Sequence, residues 1–123
     1  MQIDNIIKRD STRKPFQQVK ITDAILKAMI SVDNGEPEDA EKISLSVFNA
    51  LLERKQSIPN YVPNIEEIQD LVEQKLMQSE FLDVAKSYIL YRNIQQQKRK
   101  RNIFEKRIFK LSYFFWDSFC KYN

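Results

Sequence analysis

The chain has 123 residues, of which 42% are hydrophobic and 30% charged, and its net charge is +3. This length and balance predict one folded domain with its own hydrophobic core. The sequence contains no histidine, one glycine and one cysteine. These counts exclude Ser-His and Cys-His nucleophilic pairs and a glycine-rich phosphate loop, and they leave too few ligands for a catalytic transition-metal site. We therefore expect a protein without catalytic activity of its own.

Charge is unevenly distributed along the chain. Residues 1–20 carry five bases and two acids, residues 22–85 carry five bases and thirteen acids, and residues 86–110 carry nine bases and one acid. Basic ends around an acidic middle predict an anionic ligand, provided that the two ends meet in space. No apolar run approaches the ~20 residues of a membrane span. The single Cys120 fits a reducing compartment, so a cytoplasmic protein is expected.

Two short strands and a helix are predicted in the first third of the chain. Residues 3–9 are rich in isoleucine and alternate loosely, residues 10–12 have turn chemistry, and residues 14–16 form a returning edge strand. From Thr22 onward the apolar residues recur at helical spacing. This helix is expected to end before Asn34, which precedes the glycine.

A second helix and a third strand are predicted next. Glu36 and Pro37 open the helix, because proline suits a first turn and acids complement the helix dipole, and its apolar face extends to about Lys55. Residues 60–62 lie between two prolines and read as a short extended segment. This segment could add a third strand to the first two.

Two more helices and an apolar tail complete the prediction. Asn64 and Glu67 have the spacing of a capping box at the start of a third helix, and a fourth should begin near Leu82. Helical spacing then continues through residues 102–122, with one apolar face. That face predicts self-association, and its members are Phe104, Ile108, Leu111, Phe115 and Phe119.

Three blocks of this sequence resemble the ATP-cone family. The opening IIKRDSTRKPFQQVKITDAILKA is similar to the family's N-terminal pattern, NIEEIQDLVEQKLMQS to its third helix and DVAKSYILYR to its fourth. The resemblance covers about residues 1–97 and leaves residues 98–123 as a basic and aromatic C-terminal helical extension. It implies an α+β, mainly α fold: a four-helix bundle capped by a small three-stranded β-sheet, with a nucleotide between sheet and helices.

The resemblance also implies a set of nucleotide-binding residues. Lys8 and Lys20 match the family's phosphate-binding lysines, while Lys14 and Phe16 match the strand that frames the base. The remaining candidates are Arg9, Ile21, Asn64, Gln69, Tyr88 and Tyr91. The cations could instead lie on a solvated strand, and the two tyrosines could be core residues. Asn64 could be a helix cap rather than a nucleotide ligand, or it could be both.

One position departs from the family's pattern. Ser11 stands where many members have glycine in the turn that follows Lys-Arg-Asp. Because serine tolerates a positive φ poorly, a turn of another type is expected there, with altered phosphate contacts.

The function that the resemblance implies is allosteric and non-catalytic. Such a domain binds ATP or dATP, with Mg²⁺ present only through the nucleotide phosphates. It controls a ribonucleotide reductase through quaternary structure, with reductase subunits and further copies of the chain as partners. The alternatives are a domain like that of a nucleotide-responsive transcriptional regulator, although this chain lacks the Cys-rich zinc ribbon of the known repressor, or a helical assembly factor without a ligand.

A basic run near the end of the fourth helix raises the question of nucleic-acid binding. Residues 98–101 read Lys-Arg-Lys-Arg, but no aromatic side chains interleave with them to stack on bases. The run is more typical of a solvated helix end, and it argues against a nucleic-acid partner.

Overall fold

The computed structural model describes residues 3–100, so the predicted helix over residues 102–122 and its apolar face lie outside the described part. Within it the structure is mainly helical, with one small antiparallel sheet, as predicted. The elements in chain order are β1 Asn5–Ile7, β2 Arg13–Pro15, α1 Gln18–Ser31, α2 Pro37–Ser57, α3 Ile65–Gln78 and α4 Leu82–Lys100.

The four helices enclose one hydrophobic core. α1 packs on α2 and α4, and α3 packs on the same two helices. Each helix turns one face to this core. Each large apolar side chain that is fully buried stabilises the fold by about 1.5–3 kcal/mol. The largest buried side chains are Ile6, Ile21, Ile25, Met29, Val47, Leu51, Ile65, Ile68, Val72, Leu76 and Tyr88.

The starts of α2 and α3 follow their predicted signals. The Glu36 backbone N–H donates to the Asp39 carboxylate at 2.9 Å, and the Glu67 N–H donates to the Asn64 side chain at 2.8 Å. The Glu67 carboxylate accepts hydrogen bonds from Arg54 and from the Tyr61 hydroxyl instead of the return bond of a capping box at the start of α3. Burial and the bond to Glu67 raise the pKa of Tyr61 to about 12.

α1 begins four residues before Thr22, the predicted start. The residue at its N-cap, Gln17, makes no side-chain cap hydrogen bond, so the sequence holds no local signal for this start. The earlier start places Lys20 in the first turn of α1.

The predicted three-stranded sheet is not formed, because the described sheet has two strands. β1 and β2 are antiparallel, with Ile6 opposite Lys14. The other edge of β1 makes one parallel bridge, between Ile7 and Asn64, and the Ile7 N–H donates to the Pro63 carbonyl at 2.9 Å. A strand is prevented because Asn60 has a φ of 56° and because proline has no N–H to extend the ladder.

The end of α4 also differs from expectation. The sequence predicts a solvated basic run from residue 98. Lys100 is exposed and Arg99 is half-buried, but Lys98 is only 6% exposed. α4 continues through Lys100 without a break at the predicted domain boundary between residues 97 and 98. The boundary stays a prediction. Among residues 3–100, no helix combines the length and the apolar character that crossing a bilayer requires.

Candidate functional site

The turn between β1 and β2 is closed by its own hydrogen bonds. The Lys8 N–H donates to the Thr12 carbonyl at 2.8 Å, and the Ser11 N–H donates to the Lys8 carbonyl at 3.0 Å. Thr12 donates to one Asp10 carboxylate oxygen from its hydroxyl at 2.6 Å and from its N–H at 3.1 Å. These bonds from Thr12 lower the pKa of Asp10, so the carboxylate that orders the turn is stabilised in its charged form.

Ser11 occupies the position where another turn type was expected. Its φ is 71°, which lies in the left-handed region that glycine adopts readily. The expected change of turn is therefore wrong, because the serine accepts the positive φ and the turn keeps a conformation that suits glycine. The hydrogen bonds at Lys8 and Asp10 hold the strained residue in place.

The two cations that open the turn have different surroundings. The Lys8 side chain is only 11% exposed, and its ammonium lies 3.7 Å from Asp10. Arg9 leaves the turn and reaches α3, where Nε donates to Glu66 Oε1 at 3.0 Å and a terminal nitrogen donates to Gln69 Oε1 at 2.9 Å. Arg9 therefore ties the turn to the first two turns of α3.

Glu66 is shared between this arginine and a second one on α4. Arg92 donates to Glu66 Oε2 at 2.8 Å, and it also contacts Asp70 at 2.8 Å and Glu73 at 2.9 Å. We call Arg9, Glu66, Asp70, Glu73 and Arg92 the arginine–carboxylate network. Burial raises the pKa of Glu66, but the bonds from Arg92 and Arg9 outweigh burial and hold that pKa below its ordinary value.

Arg92 is the fixed end of the network. Its side chain is 10% exposed and contacts carboxylates on three positions of one α3 face. Burial alone would lower the pKa of Arg92, but its hydrogen bonds to those carboxylates raise it. The guanidinium therefore stays charged and joins α4 firmly to α3.

The N-terminus of α3 completes this side of the candidate site. Asn64 caps α3 through its side chain and bridges to β1 through its backbone, so the alternative that it is a helix cap is confirmed. Gln69 lies one turn further and is buried, with its side-chain oxygen turned to Arg9. The structure thus brings Arg9 to the same region as Asn64 and Gln69. Both of these residues lie 55 or more positions after Arg9 in the sequence.

Phe16 lies at a separate cleft. With Ile3, Gln18, Leu45 and Phe48 it lines a hollow of about 390 Å³, and its ring centroid lies 5.7 Å from that of Phe48. Aromatic and aliphatic side chains of this kind can pack against the faces of a planar ring such as a nucleotide base.

The other residue predicted to seat the base has a different place. Ile21 is fully buried in the helical core and does not line the cleft with Phe16. Lys14 is exposed on β2, whereas Lys20 is half-buried in the first turn of α1.

The two tyrosines of α4 are core residues to different degrees. Tyr88 is completely buried, whereas Tyr91 is half-buried and packs against the core from its edge. Tyr91 therefore has the better access to a ligand.

Sequence analysis missed three residues that shape this region, namely Glu66, Arg92 and Phe48. The signal for Glu66 was present, since acids at positions 66, 70 and 73 share one face of a helix and require a cation opposite them. Among residues 3–100, no group of three His, Cys, Asp or Glu side chains is suited to a metal ion.

Comparison with known proteins decides the family. The model of one family, described as ATP cone domain, matches residues 4–97, which include all ten predicted site residues. This chain belongs to the ATP-cone family.

The chain is similar to a small part of each of several longer proteins. The chain is 46% identical to a vitamin B12-dependent ribonucleoside-diphosphate reductase of Thermoplasma acidophilum over 103 residues, which are 80% of this chain and 13% of that protein. It is 36% identical to an anaerobic ribonucleoside-triphosphate reductase of Haemophilus influenzae, over 78% of this chain and 13% of that protein. A ribonucleoside-diphosphate reductase subunit alpha of Chlamydia pneumoniae is 33% identical to the chain, over 76% of this chain and 9% of that protein. The chain therefore spans about one tenth of the length of these relatives.

Proposed function

We propose that this ATP cone binds ATP and dATP as allosteric effectors and regulates a ribonucleotide reductase through its quaternary structure. The observation that carries the proposal is the family match over residues 4–97, together with the relatives, which are reductases with different chemistry. A domain shared by otherwise different reductases suits a regulatory role better than a catalytic one.

The turn that contains Lys8 supports the phosphate end of this proposal. A triphosphate carries about four negative charges and requires several convergent cations and N–H donors. Lys8, Arg9 and Lys20 supply three cations from a turn and a helix start, and the N-terminus of α1 adds backbone donors. In this proposal Mg²⁺ would arrive on the nucleotide phosphates.

We propose that the base binds an aromatic surface of the domain. Phe16 and Tyr91 are both half-buried, so each retains a surface that a purine could cover, and Phe48 extends the aromatic wall at Phe16. Ile21 and Tyr88 are buried in the core. ATP and dATP differ by one hydroxyl, worth on the order of 1 kcal/mol per hydrogen bond, so assembly must amplify the difference.

Isothermal titration of the full chain with dATP, ATP and GTP tests the proposal. Lys8→Ala and Lys20→Ala should each weaken dATP binding by about 1.5–3 kcal/mol, the range for a charge-assisted contact. Lys42→Ala is the matched control, because Lys42 is exposed on α2 and no site residue was predicted there.

Two results would contradict this assignment. Normal affinity in both variants, with circular dichroism unchanged, would place the phosphates elsewhere. A chain that binds none of the three nucleotides would instead favour a helical assembly factor.

A further inference from the structure

Arg9 already has an anionic partner within the protein. Glu66 accepts from Nε and Gln69 accepts from a terminal nitrogen, at 3.0 and 2.9 Å. These two nitrogens form one edge of the guanidinium, which is the geometry that binds a carboxylate or a phosphate through two parallel hydrogen bonds. This edge of Arg9 is therefore occupied by a side-chain carboxylate and a side-chain amide.

We propose that Glu66 competes with the nucleotide phosphates for Arg9 and thereby sets the affinity of the site for triphosphates. The inference rests on the proposed function. A phosphate that binds this edge of Arg9 must displace Glu66 from the guanidinium, and the loss of that ion pair opposes binding. Gln69 imposes no such charge, because its amide is neutral.

The second arginine leaves Glu66 with a charged partner after a phosphate has replaced it at Arg9. Glu66 presents Oε1 to Arg9 and Oε2 to Arg92, so the carboxylate keeps one charged partner when Arg9 turns to a phosphate. Arg92 cannot follow Arg9, since Asp70 and Glu73 hold it at 2.8 and 2.9 Å. With 44% of its side chain exposed, Glu66 also retains access to water. Arg9 is thus the partner that can move, and Arg92 is the anchor.

A pair of isosteric variants separates this competition from general electrostatics. Glu66→Gln and Glu73→Gln each remove one negative charge, but only Glu66 contacts Arg9, whereas Glu73 contacts Arg92. Isothermal titration of the full chain should show dATP binding about two- to fivefold tighter in Glu66→Gln, as expected for a partly exposed ion pair. Glu73→Gln should bind dATP nearly as wild type does. Adenosine, which has no phosphate, should bind equally to all three.

A double-mutant cycle locates the effect at Arg9. In the Arg9→Ala background, Glu66→Gln should no longer increase dATP affinity beyond the small effect of Glu73→Gln. Equal effects of the two glutamine variants, or weaker binding in Glu66→Gln, would overturn the inference. A wild-type chain without dATP affinity would overturn the proposed function itself, and this inference with it.

A second measurement requires no change at Glu66, in case that variant does not fold. The Arg9 Nε–H resonance of the wild-type chain, assigned by its loss in Arg9→Ala, should shift on addition of dATP as the acceptor changes from carboxylate to phosphate. An unchanged resonance at saturating dATP would show that Arg9 stays with Glu66, and it would overturn the inference.

Discussion

In the turn between β1 and β2, Ser11 holds a φ of 71°, a conformation that costs a residue with a Cβ about 1–2 kcal/mol. Its neighbours compensate. Thr12 donates twice to Asp10, and Lys8 both donates to Thr12 and accepts from Ser11. The strain therefore lies in the loop that presents Lys8 and Arg9, the residues on which the proposed phosphate contacts depend.

Replacing this serine by glycine should stabilise the domain. Ser11→Gly relieves the strain but gives the unfolded chain more freedom, so a net gain of about 0.5–1 kcal/mol is expected. Thermal unfolding should show a Tm about 2–8 °C higher.

Ser11→Ala is the matched control for that substitution. It removes the hydroxyl but keeps the Cβ, so its Tm should stay close to that of wild type. Equal shifts in the two variants would assign the effect to the hydroxyl rather than to the backbone.

At the scale of the elements, the arginine–carboxylate network joins three of them. Arg9 follows β1, the three carboxylates lie on α3, and Arg92 lies on α4. Acids at positions 66, 70 and 73 repel one another along one helix face, and Arg92 offsets that repulsion for all three. The contact between α3 and α4 therefore depends on one buried cation.

Removing that cation should destabilise the fold. Arg92→Met keeps much of the side-chain volume but leaves Asp70 and Glu73 without this cation, and we expect a loss of about 2 kcal/mol at neutral pH, below the usual value for a buried pair because the acids reach water. Urea unfolding measures it. Asn93→Met, on the exposed next position of α4, should change stability by less than about 0.5 kcal/mol.

The difference between Arg92→Met and wild type should depend on pH. The folded-state pKa of Glu66 lies below its ordinary value of 4.5, so its contribution to stability is complete above pH 4.5 and is lost as pH falls through the lowered pKa. The two unfolding free energies should therefore converge as the solution is acidified below 4.5. A constant difference would show that Arg92 acts through packing alone.

Sequence reasoning predicted most elements because their signals are local. Apolar spacing identified four helices, and Pro37 and Asn64 gave two of their starts. It failed for residues 60–62, where a positive φ at Asn60 overrides an extended pattern between prolines. It also missed the pairing of Glu66 with Arg92, since the contact depends on how α3 and α4 are rotated against each other, which no local pattern specifies.

At the scale of the whole molecule, self-association is a prediction that concerns residues beyond the described part. The apolar face predicted over residues 103–122 repeats at intervals of four, three, four and four. Burying four or five such side chains at about 1.5–3 kcal/mol each suffices to hold a helix on a partner surface. The core of residues 3–100 is supplied by its own four helices. We therefore propose that this face would mediate contacts between copies of the chain.

Light scattering compares the full chain with one that ends at Lys100. The full chain should self-associate, and dATP should change its distribution of oligomers, while the shortened chain should remain a monomer. By linkage, assembly must then change dATP affinity by the same factor. Identical monomeric masses for both chains, with and without dATP, would show instead that residues 103–122 fold back on their own domain.

The composition of β2 limits how copies of the chain can join. β1 is paired with β2 on one side and bridged to Asn64 on the other, so the outer edge of this sheet is β2 itself. The residues of that edge are Arg13, Lys14 and Pro15, and all three are exposed. Two of them carry like charges, and the proline cannot donate a hydrogen bond to a further strand. Such an edge resists the strand-by-strand addition that leads to fibrillar aggregates. At high concentration, this sheet edge should therefore not nucleate amyloid formation between copies of the domain.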